Sequence, residues 1–235
     1  EEALGPPPAN LTYLPIDFRV QTLADVLASA GYDSKQKTLF IWEGVTMYLP
    51  ADTVRETRRV IPGHIPVIGF SGSPFTLASY AIEGGSSRNY AATKTLMYTD
   101  EGAWRSLMER LARAITLYLN AQADAGAQCL QLFDSWVGCL GTDDYRRYVL
   151  PYMQQIVRGL RPGVPVINFG TGNPALLPFY AAAGSAVVGV DWRVRLDDAW
   201  RVIGYDKAVQ GNLDPVVLLA VPLRRLAFFF GGVSA

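Results

Sequence analysis

Short apolar runs alternate with longer amphipathic stretches along the chain, and the alternation becomes regular after residue 65. Short apolar runs bounded by turn residues predict buried strands, and apolar positions three and four apart predict helices. The predicted strands cover residues 66–70, 129–133, 164–169, 186–190 and 208–211. The predicted helices cover residues 104–125, 143–160, 174–183 and 196–203. Because a parallel strand needs a crossover that covers the sheet, this order favours an α/β fold built as a partial (β/α) TIM-type barrel.

The N-terminal region shows a shorter version of the same pattern. Residues 11–18 and 38–42 are apolar enough to be strands. Between them, Thr22 is placed to cap a helix over residues 23–30, and Gly31 is placed to end it. These residues therefore predict a βαβ piece that precedes the barrel.

Charge and composition argue against several kinds of partner. Lys plus Arg and Asp plus Glu number 21 each, so no net field attracts nucleic acid or an anionic membrane. The apolar stretches are broken well before membrane-spanning length. The single histidine, His64, cannot build a zinc site with Cys129 and Cys139 at this spacing, so we predict no metal. We expect two reduced thiols in a cytoplasmic protein, and the N-terminus lacks the basic start and apolar core of a signal peptide.

Small and polar residues follow each predicted strand. They lie in residues 69–72, 133–136, 168–172, 189–192 and 210–215. Taken singly, an aspartate at such a place is more often a helix cap or loop brace than a catalytic group. In a β/α barrel, however, all strand ends meet at one rim, where ligands bind. The five segments together therefore predict a binding site at the carboxyl edge of the sheet.

Four of these stretches resemble the uroporphyrinogen decarboxylase family. The matching residues are GFSGSPFTLASYAIEGGSSRNY, LQLFDSWVGCL, VVGVDWR and VQGNLDPVVLL, and the resemblance covers about residues 54–220. It implies removal of the acetate carboxyls of uroporphyrinogen III to leave methyl groups, giving coproporphyrinogen III, with no metal or organic cofactor. The pyrrole ring acts as the electron sink, and the protein holds a large polyanion. The family commonly forms homodimers, so the resemblance also implies a homodimer.

The resemblance carries two substrate contacts onto this sequence. Tyr80 matches the family's substrate-contacting tyrosine, and Ser135 matches a hydroxyl that faces a substrate carboxylate. Neutral donors of this kind bind carboxylates without fixing a charge in the cavity. The stretch from Gly69 to Tyr90 is expected to be open backbone around one phenol. Asp191 and Asp214 are interpreted as loop braces, because nothing in the resemblance makes them catalytic.

Three features of the family have no counterpart in these residues. They are an RQAGR-type stretch that binds carboxylates, a strand-end aspartate at the pyrrole nitrogens, and a histidine in a GHG-type loop. Loss of each charge-assisted anchor costs about 1.5–3 kcal/mol. The resemblance therefore implies an impaired decarboxylase, and the catalytic residues stay unknown. The missing initiator methionine also suggests a trimmed chain or a fragment.

Residues 1–53 resemble a different family. ALGPPPANLTYLPIDF and ADVLASAGYDSKQKTLFIWEGVTMYLP are similar to the middle of a SAM-dependent methyltransferase of the leucine carboxyl methyltransferase group. That resemblance implies a Rossmann-like piece in which Asp17 reads the adenosine and Glu43 lies near the cofactor. The predicted organisation is this segment, a decarboxylase-like barrel over residues 54–220, and an unassigned tail over residues 221–235. A methyltransferase fragment and a non-catalytic hybrid remain alternatives to the decarboxylase.

Overall fold

Parallel strands form one sheet whose spatial order follows the sequence. The structure is a computed structural model that describes residues 21–33 and 51–217. In order across the sheet, the strands are β1 (Ile68–Gly72), β2 (Cys129–Asp134), β3 (Val166–Gly170), β4 (Val187–Val190) and β5 (Ala208–Gly211). Each strand pairs in parallel with the next. The predicted α/β class and the partial TIM-type barrel are confirmed.

Helices cross between the strands and cover one face of the sheet. They are α1 (Leu23–Ser29), α2 (Ala51–Val60), α3 (Pro74–Glu83), α4 (Ala91–Thr99), α5 (Glu101–Asp124), α6 (Thr142–Tyr148), α7 (Leu150–Gly159), α8 (Leu177–Ala182) and α9 (Leu196–Ile203). Short 3₁₀ turns lie at Val137–Cys139 and Pro174–Leu176. No helix in the two described ranges is long and apolar enough to cross a membrane.

Prolines divide two of the predicted helices. The single helix expected over residues 143–160 is two helices, α6 and α7, which meet at Val149. Pro151 causes the break, because proline has no N–H to bond the carbonyl four residues earlier and its ring clashes with that carbonyl. Pro178 acts in the same way near the start of α8, so the segment expected to begin a helix at residue 174 begins as a 3₁₀ turn.

The stretch after β1 is a helix rather than the expected open backbone. Helix α3 has Ser73 at its N-cap position and Pro74 in its first turn, where a missing N–H costs nothing. It ends at Gly84, whose left-handed φ of 73° is the conformation that glycine adopts without strain. Tyr80 therefore stands on a rigid helix that begins directly after β1.

The N-terminal prediction is described only in part. Helix α1 begins after Thr22, whose side chain accepts a hydrogen bond from the Asp25 N–H at 3.2 Å, as the sequence predicted. The predicted strands at residues 11–18 and 38–42, together with Asp17 and Glu43, lie outside the described residues. The tail at residues 221–235 lies outside them as well.

The main core lies between the sheet and its helices. Leu130 and Leu132 of β2 are fully buried on this face, against α5 residues that include Trp104. The Trp104 indole N–H donates to the Tyr148 carbonyl at 3.0 Å, so its one polar atom is satisfied. Successive side chains of a strand point to opposite faces of the sheet, so residues two apart share a face. Asp134, two residues after Leu132, therefore points toward the helices, whereas Phe133 points to the opposite, inner face.

Gln122 of α5 lies along the edge of β1 that no described strand pairs with. Toward β2, the Val67 carbonyl accepts from the Gln128 N–H, and the Ser73 N–H donates to the Phe133 carbonyl. Backbone groups alternate sides along a strand, so Phe70 faces away from β2. The Gln122 amide bonds both groups of Phe70: Oε1 accepts from the N–H and Nε2 donates to the carbonyl, each at 2.9 Å. One buried amide thus replaces a neighbouring strand at this position.

We expect Gln122→Ala to lower the free energy of unfolding by about 1–3 kcal/mol, because it leaves the N–H and carbonyl of Phe70 without partners in a partly buried place. Urea denaturation followed by circular dichroism measures the change. Gln154→Ala is the matched control: Gln154 donates one exposed hydrogen bond to the Ala182 carbonyl, and its loss should cost no more than about 0.5 kcal/mol. Equal effects of the two substitutions would contradict the edge role of Gln122.

Candidate functional site

The carboxyl ends of the strands bring the predicted polar segments to one edge of the sheet. Because all the pairings are parallel, the residues that follow each strand emerge on the same side. Neighbouring loops also bond one another there. The Lys94 ammonium of α4 donates to the Cys139 carbonyl at 2.7 Å, and the Asn173 amide donates to the Leu140 carbonyl at 2.9 Å. We call this edge, with the loops after β1 to β5, the rim.

Tyr80 stands at the rim in a group of three aromatic side chains. Its ring lies 4.0 Å from the Trp136 ring, centroid to centroid, and Tyr90 lies 5.1 Å from the same indole. Tyr80 is 49% exposed, whereas Tyr90 is buried. Tyr90 also adopts a left-handed φ of 51°, which is uncommon for a bulky residue. Trp136 thus holds the Tyr80 ring in place while leaving much of that side chain open to solvent.

Ser135 lies in the turn directly after β2, and its side chain is exposed. It follows the buried Asp134 and precedes Trp136. Tyr80 therefore packs against the residue next to Ser135, although the two belong to different β/α units. The structure brings both predicted substrate contacts to neighbouring elements of the rim.

A buried hydrogen-bonded link joins the Tyr80 helix to the Ser135 turn. The Thr76 hydroxyl donates to Asp134 Oδ1 at 2.7 Å, and the Trp136 N–H donates to the Thr76 Oγ1 at 3.3 Å. Residues four apart lie on the same face of a helix, so Thr76 and Tyr80 contact the turn from consecutive turns of α3. We call this arrangement of Asp134, Thr76 and Trp136 the buried link.

Asp134 is 1% exposed, and burial raises the pKa of its carboxyl to about 7, with hydrogen bonding from Thr76 opposing the shift. Its Oδ2 has no hydrogen-bond partner in the part of the chain that is described. Because a buried unpaired charge is costly, the carboxyl is largely protonated below neutral pH. Asp134 therefore differs from an exposed aspartate, which is ionised throughout the physiological range.

Asp191 is a brace between the loops after β3 and β4. Its carboxylate accepts from the Thr171 hydroxyl at 2.5 Å, the Gly172 N–H at 3.0 Å and the Arg193 N–H at 3.0 Å. Burial alone would raise the pKa of Asp191, but these bonds and the Arg193 side chain outweigh it, and the pKa is lowered. These contacts agree with the interpretation made from the sequence.

Asp214 braces a local turn, since its carboxylate accepts from the Val216 N–H at 2.9 Å. His64 lies in the exposed turn before β1, at the opposite end of the sheet from the rim. Cys129 and Cys139 are both free thiols. Within residues 21–33 and 51–217, no group of three His, Cys, Asp or Glu side chains could hold a metal ion.

Reasoning from the sequence missed the aromatic partners and the buried link. The sequence shows Trp136 only as one residue of the LQLFDSWVGCL motif, and it gives Thr76 no evident role. A usable signal was present for α3: Ser73 and Pro74 favour a helix start, Gly84 favours a helix end, and Phe75, Ala78 and Ile82 lie at helical spacing. No local signal joins Thr76 to Asp134, which is 58 positions away.

Two family models match the chain. The model for Uroporphyrinogen decarboxylase (URO-D) matches residues 34–224, and the model for Leucine carboxyl methyltransferase matches residues 1–61. The two matches overlap over residues 34–61.

Curated relatives and one solved structure are similar to the chain. The uroporphyrinogen decarboxylase of Sorangium cellulosum is 54% identical over 170 residues, which are 72% of this chain and 49% of the relative. That of Carboxydothermus hydrogenoformans is 47% identical over 206 residues, 87% of this chain and 56% of the relative. The chain thus spans about half the length of the curated relatives that it matches.

A methyltransferase from Methanosarcina mazei has a similar fold, with a TM-score of 0.68 at 18% identity over 78% of this chain and 55% of that chain. At this identity the likeness concerns the fold alone. The family rests on the sequence matches, because the uroporphyrinogen decarboxylase model covers far more than half of the residues. The chain belongs to the uroporphyrinogen decarboxylase family.

Proposed function

We propose that the rim is part of a tetrapyrrole site for cofactor-independent decarboxylation of uroporphyrinogen III to coproporphyrinogen III. In this reaction a proton adds to a pyrrole ring carbon. The bond between the acetate methylene and its carboxyl then breaks, and carbon dioxide leaves as the electron pair moves toward the ring. A proton added to the methylene completes the methyl group, and loss of the first proton from the ring carbon restores the pyrrole. The protein must hold the polyanion, supply the protons and stabilise the charge that develops on the ring.

One observation carries the proposal: the half-exposed Tyr80 is held against Trp136, the residue next to the exposed Ser135. A phenol and a serine hydroxyl on neighbouring elements of the rim can donate to carboxylates of one ligand. The aromatic faces beside them suit a flat or saucer-shaped macrocycle. The curated relatives named uroporphyrinogen decarboxylase support the same ligand.

We further propose that these residues bind the substrate better than they convert it. The family's arginine-rich stretch, pyrrole-facing aspartate and loop histidine have no counterpart here, so charge-assisted anchors and a proton-handling group are missing. Hydroxyl donors alone orient carboxylates but do not neutralise them. We propose a cytoplasmic location, which the two free thiols favour. We also propose a homodimer, which the family resemblance implies.

We expect Tyr80→Phe to raise the dissociation constant for uroporphyrin about tenfold or more, because a hydrogen bond to a charged group contributes about 1.5–3 kcal/mol. Ser135→Ala should act in the same direction. A titration of porphyrin absorption against protein measures both. Tyr205→Phe is the matched control, since Tyr205 is 71% exposed and precedes β5 at the opposite end of the sheet. No spectral change with the wild type, or the same loss in the control, would contradict the site.

We expect these 235 residues alone to release carbon dioxide from uroporphyrinogen III at least about a hundredfold more slowly than a full-length relative, because each missing anchor costs about 1.5–3 kcal/mol. Direct measurement of carbon dioxide from acetate-labelled substrate tests this, with the Thermus thermophilus relative as the reference. A rate equal to that of the relative would show that the absent motifs are dispensable.

The match of residues 1–61 to leucine carboxyl methyltransferase favours a second candidate function. In this alternative the N-terminal segment retains weak binding of S-adenosylmethionine, with Asp17 on the adenosine and Glu43 near the cofactor. A Rossmann-like sheet holds an adenosine at the carboxyl ends of its strands. Methyl transfer would also need the methyl-acceptor half of that family, and we find no counterpart of it in the sequence motifs described above.

We expect isothermal titration calorimetry with S-adenosylhomocysteine to give a dissociation constant weaker than about 1 mM, which corresponds to about 4 kcal/mol of binding free energy. The reason is that the Gly-rich loop that holds the methionine end has no counterpart in residues 1–61. Asp17→Asn is the paired variant. Micromolar binding that Asp17→Asn abolishes would favour the methyltransferase over the remnant.

A further inference from the structure

A cluster of buried polar side chains, which we call the chamber, lies behind the rim, on the helix side of the sheet. Asp134 pairs in register with Gly170 of β3, so the two positions face the same side. The Tyr180 hydroxyl lies directly over Gly170, where it fills the space that a Cβ would take. The Tyr145 ring lies 5.5 Å from the Tyr180 ring. The carboxyl of β2 and the phenols of α6 and α8 therefore lie together on the helix-covered face of the sheet.

Two polar atoms in this chamber, Asp134 Oδ2 and the Tyr180 hydroxyl oxygen, have no hydrogen-bond partner among the described residues, whereas the Tyr145 hydroxyl interacts with the Asn168 side chain. Asp134, Tyr145 and Tyr180 are almost completely buried. Interaction with Asp134 also contributes to the raised pKa of each phenol, after the larger effect of burial. Burial of a carboxyl with an unpaired oxygen destabilises the fold. We therefore expect the hydrogen bond of the other oxygen, Oδ1, to have a structural role.

Asp134 Oδ1 joins helix α3, which carries Tyr80, to the turn that carries Ser135. Asp134 Oδ1 accepts from Thr76, whose oxygen accepts from the Trp136 N–H. One helical turn beyond Thr76, the Tyr80 ring packs on the Trp136 ring. Ser135 lies between Asp134 and Trp136, the two residues that α3 contacts. A shift of Asp134 would therefore move the Tyr80 and Ser135 hydroxyls relative to each other.

We propose that Asp134 is a positioning residue, which sets the spacing of the Tyr80 and Ser135 hydroxyls through Thr76 without touching the ligand. This role rests on the tetrapyrrole site proposed above. It concerns a residue that the family resemblance does not mark as a substrate contact. Asp134 supplies an acceptor for Thr76 and, when protonated, a donor inside the chamber.

The positioning depends on protonation. The groups that face Asp134 are the Thr76 hydroxyl on α3, the Tyr145 and Tyr180 phenols on α6 and α8, and the Cys139 thiol of the 3₁₀ turn. Burial raises the pKa of the thiol and of both phenols, so all three are neutral near pH 7. The nearest cation on these elements, the Lys94 ammonium of α4, bonds the Cys139 carbonyl rather than Asp134, so ionisation of Asp134 leaves a buried charge without a direct partner. The folded carboxyl has a raised pKa, so its favourable contribution is present at low pH and is lost as pH rises through about 7.

The experiment compares wild type with Asp134→Asn, Asp134→Ala and Thr76→Val in uroporphyrin titrations at about pH 6 and about pH 8. The asparagine keeps an acceptor for Thr76 and a neutral donor in the chamber, so it should bind within about twofold of wild type at the lower pH. Wild type should weaken up to about tenfold relative to Asp134→Asn at the higher pH, which is the change in the protonated fraction. Asp143→Asn, at an exposed carboxylate paired with Arg146, is the control and should change nothing.

Asp134→Ala and Thr76→Val should each raise the dissociation constant about tenfold or more, because each breaks the buried link. Thr76→Val is nearly isosteric and serves if the alanine variant does not fold. A ligand-free readout accompanies the titrations: the nuclear Overhauser effect between the Tyr80 and Trp136 rings should persist in Asp134→Asn and weaken in Thr76→Val.

Two results would overturn the positioning role. One is wild-type affinity in Thr76→Val with the ring contact unchanged; the other is the same pH dependence in wild type and Asp134→Asn. If wild type does not bind uroporphyrin, the proposed function fails, and the ring contact still decides whether Asp134 and Thr76 position Tyr80. Failure of the ligand proposal and failure of the positioning proposal are thus separate outcomes.

Discussion

The arrangement of the candidate site depends on one buried carboxyl. Asp134 is placed at the end of β2 by sheet register and faces the helices, where burial raises its pKa to about 7. Its hydrogen bond from Thr76 fixes the start of α3 against the turn after β2. Trp136 and Tyr80 then stack because their backbones are already fixed. The half-exposed Tyr80 side chain thus depends on a buried carboxyl.

Contacts between neighbouring loops extend this constraint along the rim. The 3₁₀ turn after β2 is bonded by Lys94, and Asn173 bonds the Leu140 carbonyl that follows it. Gly138 packs so closely on the backbone of Thr171 and Gly172 that a side chain there would force the loops apart. Asp191 then joins the loop after β3 to that after β4, and Asn212 donates to the Val194 carbonyl. Each strand end is therefore positioned partly by its neighbour.

The sequence predicts this architecture well where the cause is local or periodic. The order of strands and crossovers dictates a parallel sheet, and a parallel sheet brings the polar strand ends together. The sequence predicts the structure poorly where a proline or a contact between distant residues determines it. Pro151 divides a helix whose apolar pattern is continuous, and Thr76 meets Asp134 only after the chain has crossed α4 and α5. The role of Trp136 depends on that same long-range pairing, so its motif alone did not reveal it.

The match to about half the length of its relatives gives the family but leaves the reaction a proposal. The described residues supply the Tyr80 hydroxyl on an aromatic support and the Ser135 hydroxyl in the adjoining turn. Our central claim is that the buried link fixes α3 against that turn, and a double-mutant cycle on unfolding free energy with Thr76→Val and Asp134→Ala tests it most directly. We predict a coupling of about 1 kcal/mol or more, since the two groups share one hydrogen bond. Additive effects within about 0.5 kcal/mol would contradict the claim.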